Sequence, residues 1–268
     1  MTNLLPHLDP GAHHHHDRHC WWHHELGRWI CDNPGSAVAP APSSAKSSTD
    51  APLVDVRDMI VVHTAMLREF RLAPAAVRRV ADGDRKQAAT VERHLALLCD
   101  LLHHHHTGED ELLWPPLRER LPASVVQRLD AAEDQHAAID AALDRVADAR
   151  RDFRATATGQ DGAVLAEALE QLHVLLAEHL DAEERTLLPL AAAHLTEAEW
   201  RAVGAAGAAS VPKSALLLVF GMFAYEGDPA VLRDMLREAP PPARVLVPRL
   251  APRAYRRRAR QVHGTAHP

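Results

Sequence analysis

Two short units, His105-x-x-x-Glu109 and His179-x-x-x-Glu183, lie 74 residues apart, and each is followed six residues after its glutamate by a proline, Pro115 and Pro189. Residues four apart on a helix share one face, one turn above the other. Each unit therefore aims an imidazole and a carboxylate, two metal-ligand types, in one direction. The duplication predicts a site built between two helices.

The repeat extends beyond these four residues. Leu98, Leu102, His105, Glu109 and Leu113 follow spacings of three and four, and Leu172, Leu176, His179, Glu183 and Leu187 repeat the pattern. The ligand-type residues thus fall on the apolar stripe that faces a core. Upstream of each unit is another helical stretch with one histidine on its stripe: Val56, Met59, His63, Met66 and Phe70, then Leu129, Ala132, His136, Ile139 and Leu143. The prediction is four helices, two per repeat, with ligands pointing inward.

Taken singly, each histidine reads as a satisfied core residue and each glutamate as a solvated one. Taken together, four histidines and two glutamates on inward stripes would cost on the order of several kcal/mol per unpaired buried ion. A cation among them removes that cost. Imidazole and carboxylate without thiolate suit iron, manganese or zinc. Six ligands exceed one tetrahedral zinc site and suit two metals bridged by the glutamates, a kind of site that helical bundles hold in their cores. The Glu-x-x-His order belongs to ferritin-like sites, and their complete arrangement, with a second glutamate from each partner helix, is not found.

The set His63, His105-x-x-x-Glu109, His136 and His179-x-x-x-Glu183 resembles the hemerythrin-like, HHE cation-binding domain, and the stretch from His103 to Pro115 resembles the signature of its second helix. The resemblance covers roughly 54–195. It implies an all-α, up-down-up-down four-helix bundle with a non-heme di-iron centre, in which Glu109 and Glu183 bridge two iron ions and the histidines are terminal ligands. Two positions depart from the oxygen-carrier pattern. Asp140 stands where carriers have a second histidine on the third helix. The carriers' last carboxylate falls five residues after the fourth-helix histidine, at Glu184, whereas the alignment of the prolines favours Glu183. These departures count against reversible oxygen carriage and leave metal binding as the expectation.

The expected organisation is a disordered tail over 1–52, a bundle over 53–195 and a helical C-terminal extension over 196–268. The tail holds His13 to His16, His19, His23 and His24 and a Pro/Ser/Ala stretch, and offers adventitious zinc, nickel or copper ligands together with Cys20 and Cys31. It has no recognisable zinc-finger spacing. Three cysteines make no disulfide framework. With a net charge of −6 nothing global favours nucleic acid. The arginines from Arg253 to Arg260 read as a solvated face, because aromatic interleaving is sparse. No apolar run reaches the ~18 residues that span a bilayer, and no secretory signal is apparent, so a cytoplasmic protein without membrane contact is expected.

Helix one is expected to break or kink at Pro74, helix two to start at an Asp84 cap and end at Pro115-Pro116, and helix three to start after Pro122, with Ser124 as a candidate cap. A Gly159–Gly162 break then leads to helix four near Ala163. Thr196 and Glu199 read as a capping box, and the apolar run from Ala215 to Ala224 as a helix packed on the bundle. Successive helix positions are ~100° apart, so His103, His104, His105 and His106 cannot all face one site. Of His105's neighbours, His106 is best placed to reach a metal. Glu133, one turn before His136, is a candidate to orient that ring, and His94 and His173 read as structural.

The function expected from this reading is binding of dioxygen or a related diatomic ligand at a di-iron centre, for sensing, storage or redox response. The alternatives are a di-iron enzyme acting on nitric oxide or peroxide, with His104, His106 or Asp140 as proton donors, or an iron store or donor for repair of metal centres. A purely structural helical protein is the bland competitor. The protein partner and oligomeric state are not legible.

Overall fold

The computed structural model describes residues 52–268 and, in the N-terminal stretch, the backbone of two short strands. Those strands, β1 (Cys20–His23) and β2 (Arg28–Cys31), pair antiparallel, Cys20 opposite Cys31. Tryptophan and isoleucine favour a pleated backbone, which gives this part of the tail a regular structure that the composition did not suggest. Most of the tail expected over 1–52, including His13 to His16, His19 and His24, lies outside the described residues. The chain divides into two units, Met1–Lys46 and Ser47–Pro268.

The second unit is helical. Four long helices, α1 (Arg57–Arg78), α2 (Arg85–Gly108), α4 (Ala123–Thr156) and α5 (Gly159–Thr186), form a ring of neighbours: α1 packs on α2 and α5, and α4 packs on α2 and α5. Short helices α3 (Trp114–Arg120) and α6 (Leu188–His194) continue from α2 and α5. The extension adds α7 (Glu197–Ser210), α8 (Leu216–Phe223), α9 (Pro229–Met235) and α10 (Pro241–Val262). No described helix is long and apolar enough to cross a membrane.

The prolines act differently from their expected roles. Pro74 sits buried inside α1 without ending it. Pro115 and Pro116 do not end the second helical rod either: between α2 and α3 the backbone widens into a π turn over Glu109–Leu113, and Trp114 N–H donates to the Glu109 carbonyl, five residues back. A proline inside a regular helix clashes with the carbonyl four residues earlier, and one wider turn relieves that clash. Ser124 is not a cap, because Pro122 occupies that position and the helix is already under way at Ala123. The break before α5 is Ala157, with φ 54°, and Thr158, whose hydroxyl accepts from Asp161 N–H, so Gly159 and Gly162 lie inside the helix. The Asp84 cap and the Thr196–Glu199 capping box form as expected.

Apolar side chains collect in two separate clusters. One holds Met59, Leu113, Trp114, Leu129, Ala132 and Leu187. The other holds Met66, Phe70, Leu98, Leu102, Ile139, Leu176 and Leu180. On each of the four rods the ligand-type residues fall in sequence between members of the two clusters, as His63 does between Met59 and Met66. They therefore form a buried polar layer in an otherwise apolar interior.

The extension packs as the run from Ala215 to Ala224 suggested. Leu218, Val219 and Met222 of α8 are buried, and α8 packs against α1 and α10. On α10, Ala251, Tyr255, Ala259 and Val262 form the buried stripe, which leaves Arg253, Arg256, Arg257 and Arg260 exposed. Gly221 permits the close approach of these helices: a Cβ there would lie 2.3 Å from the Ala251 carbonyl oxygen.

Candidate metal centre

All six sequence-predicted residues converge. His63, Glu109, His136, His179 and Glu183 are each at most 2% exposed, and the His105 side chain retains an 11% exposed edge. His63 and His105 face each other through their Nε2 atoms at 3.0 Å, and His136 and His179 do the same at 3.1 Å.

The outer ring nitrogens have acceptors. His63 Nδ1 lies 3.0 Å from Glu184 Oε1, His136 Nδ1 2.7 Å from Asp110 Oδ1, and His179 Nδ1 3.1 Å from Gln135 Oε1. An acceptor at Nδ1 draws the ring proton there and leaves the Nε2 lone pair facing inward. At His136 and His179, where both Nδ1 atoms have acceptors, two lone pairs then face each other at 3.1 Å and repel unless a positive centre lies between them. With metal–nitrogen bonds near 2.0–2.1 Å, neighbouring ligand atoms on one ion lie ~2.9–3.4 Å apart, and these pairs fall in that range.

The carboxylates stand between the two histidine pairs. Glu109 Oε1 lies 3.2 Å from His105 Nε2, and its Oε2 lies 3.4 Å from His136 Nε2. Glu183 Oε2 lies 3.6 Å from His63 Nε2 and 3.7 Å from His179 Nε2. All four oxygens are buried without a hydrogen-bond partner, which is costly unless a cation takes the place of the missing donors. Two groups can each hold an ion: His63, His105 and Glu109, and His106, Glu109, His136 and His179. Glu109 belongs to both.

Electrostatics follow from burial. Desolvation, with the nearby Asp110 charge second, holds the Glu109 carboxyl well above its ordinary range. Desolvation and then the Glu109 charge do the same to Glu183. Burial holds the His105 and His106 imidazoles well below theirs and pushes His179 down to about 2. Neutral His105, His106 and His179 imidazoles are ready ligands for a cation, and the carboxyls must ionise to join them.

His106 joins the layer as its sequence position suggested, and other neighbours take places the sequence did not assign. His106 is buried, stacks on His136 with centroids 4.1 Å apart, and has no partner for either ring nitrogen. Asp110, rather than Glu133, orients His136, and it also accepts from Trp114 Nε1 at 3.0 Å. Glu133 instead pairs with Arg118 at 2.8 Å, half-exposed. Asp140 is directed away from the layer and lies 3.3 Å from the exposed His103, and His104 is exposed as well. Neither Asp140 nor His104 reaches the centre, because each occupies the outer face of its helix. Glu184 lies behind His63 rather than between the histidine groups.

The family model for the hemerythrin HHE cation-binding domain matches residues 54–191, more than half of the chain. The chain belongs to that family, and its bundle is a cation-binding domain. No curated protein and no solved structure gives a significant match.

Proposed function

We propose that the bundle, 53–195, is an up-down-up-down four-helix domain whose polar layer holds two iron ions and binds dioxygen or a related diatomic ligand, in sensing, storage or redox response. The observation that carries the dinuclear reading is the pair of facing Nε2 contacts, His63–His105 and His136–His179, with Glu109 and Glu183 between them. Glu109 and Glu183 would bridge the ions. His63 and His105 would complete one ion, and His106, His136 and His179 the other. A pair of irons would supply redox electrons and an exchangeable coordination position.

The chain's own residues determine the rest. The His63–His105 side offers one imidazole fewer than the opposite side, which supports an open position there, and that is where His105 retains its exposed edge. Asp110, Glu184 and Gln135 fix ring orientation through Nδ1. The fully buried Trp114 and Phe70 and the nearly buried Leu187 exclude water. Binding is favoured over turnover of peroxide or nitric oxide because two of the expected proton donors, His104 and Asp140, face outward.

The test is to reduce the iron-loaded full chain without oxygen and record its absorption as oxygen is added and then removed. Charge-transfer bands that appear and disappear at one oxygen per chain support this reading. Sustained consumption of peroxide or nitric oxide supports the enzyme instead. Rapid loss of iron to a chelator supports the iron donor.

A further inference from the structure

A second convergence of ligand-type side chains lies elsewhere in the bundle. Glu69 on α1, His94 on α2 and His263, directly after α10, each bring a ligand atom within 4.8 Å of the others. Glu69 follows His63 by six residues and His94 precedes His105 by eleven. At 1.5 Å per residue they sit ~9 and ~16 Å along their helices from the first centre. The two groups share no residue.

The two oxygens of the buried Glu69 carboxylate have different neighbours. Oε1 accepts from Tyr255 Oη at 2.5 Å and from Arg68 Nε and Nη2 at 3.1 and 3.0 Å. Oε2 faces the imidazoles, with His94 Nε2 at 3.0 Å and His263 Nε2 at 3.5 Å. Arg68 is shared with Glu226 at 2.9 Å and the Met222 carbonyl at 2.9 Å. One guanidinium against two carboxylates leaves a negative charge, and its open side is the imidazole edge.

His263 Nε2 is buried and directed at this carboxylate, yet makes no hydrogen bond, and His94 Nδ1 also has no partner. Around an ion with bonds of 2.0–2.2 Å, ligand atoms lie ~3.3–3.5 Å apart in tetrahedral geometry. The separations about Oε2 are close to that. The donor set is two imidazoles and one carboxylate, and it suits borderline divalent ions.

We propose that Glu69 Oε2, His94 Nε2 and His263 Nε2 form a mononuclear site for a zinc-class divalent ion, separate from the dinuclear centre, that fastens the C-terminal arm to the bundle. Glu69 and His94 belong to the bundle. His263 belongs to the arm, and so does Tyr255, which orients the carboxylate. α10 ends where Gly264 turns left-handed at φ 77°, which fixes His263 at the helix end. An ion bound across the two parts exists only when the arm is docked, so its binding suppresses undocking in proportion to its saturation.

The test uses the full chain stripped of metal and titrated with cobalt(II), whose visible bands report tetrahedral coordination. The N-terminal histidines are common to all variants and cancel in the comparison. His263→Ala and the milder His263→Gln are expected to lose about one cobalt per chain together with its tetrahedral bands. A His105→Ala/His179→Ala variant keeps that ion, so failure of the dinuclear reading is scored separately. At cobalt a hundredfold above its Kd, hydrogen exchange over 241–262 is expected to slow by ~100-fold in the parent chain and not in the His263 variants. Equal cobalt content and equal exchange in the parent and both His263 variants would overturn the proposal.

Discussion

Loading the polar layer with metal will expel the protons held by its two buried carboxyls, up to two per chain. Glu109 and Glu183 are wholly buried, and desolvation holds both carboxyls well above the ordinary 4.5. Both therefore carry protons in the metal-free fold, and both must lose them to act as ligands. The His105, His106 and His179 imidazoles are held below 6.5, His179 at about 2, so they are neutral already and release nothing. Each proton released makes apparent affinity rise tenfold per pH unit. Two give ~100-fold, or ~2.7 kcal/mol per pH unit, until the raised carboxyl pKa values are reached. The stability of the metal-free chain follows the same shifts. The raised carboxyls contribute stability below pH 4.5 that is lost as pH climbs toward their folded values. The depressed imidazoles contribute stability above pH 6.5 that is lost on acidification. Calorimetric titration with zinc in two buffers of different ionisation enthalpy counts the protons. Subtracting the count for His105→Ala/His179→Ala removes any contribution from the N-terminal histidines. A difference near zero would mean that the carboxyls are ionised before metal arrives, contrary to what their burial requires.

Three substitutions probe the supporting residues. Asp110→Asn removes the carboxylate behind His136 and is expected to weaken metal binding 10–100-fold, while Glu133→Gln, on the surface pair with Arg118, leaves it unchanged; competition with a chelator measures both. His106→Ala is expected to lower bound iron from about two to about one per chain, read by elemental analysis against the same substitution at the exposed His104. Gly221→Ala forces a Cβ onto the Ala251 carbonyl and is expected to cost ~1–3 kcal/mol, seen as faster hydrogen exchange in α8 and α10 with metal content at the first centre unchanged.

The parts of this fold that were legible in the sequence are those written in local periodicity. His105 and Glu109 share a stripe with Leu98 and Leu102, so their inward direction follows from helix geometry alone, and the second copy at +74 marked two rods of one site. The Asp84 cap and the Thr196–Glu199 box are local for the same reason. What escaped depends on departures from the regular helix or on distant pairing. At ~100° per residue Asp110 should not join Glu109 in serving one layer; the π turn begins at Glu109, and Asp110 stands behind His136. Pro115-Pro116 was the signal for that turn, but a proline pair reads more simply as a stop. Pro74 reads as a break only when its surroundings are ignored, and here it is buried in a continuous helix. Glu69, His94 and His263 come from three separate segments, with His263 at the far end of the chain. No spacing rule joins them, although an acidic residue next to the apolar stripe of α1 was a hint.

Sharing of Glu109 and Glu183 by two ions is the feature on which the dinuclear reading stands. X-ray absorption at the iron edge of the loaded full chain is the decisive measurement, because isolated irons held by the N-terminal histidines give no metal–metal scattering. Bridging carboxylates predict an iron–iron vector at ~3.5–4 Å that disappears in His105→Ala/His179→Ala. Iron bound in the parent chain with nitrogen and oxygen neighbours but no iron–iron vector would contradict a shared centre.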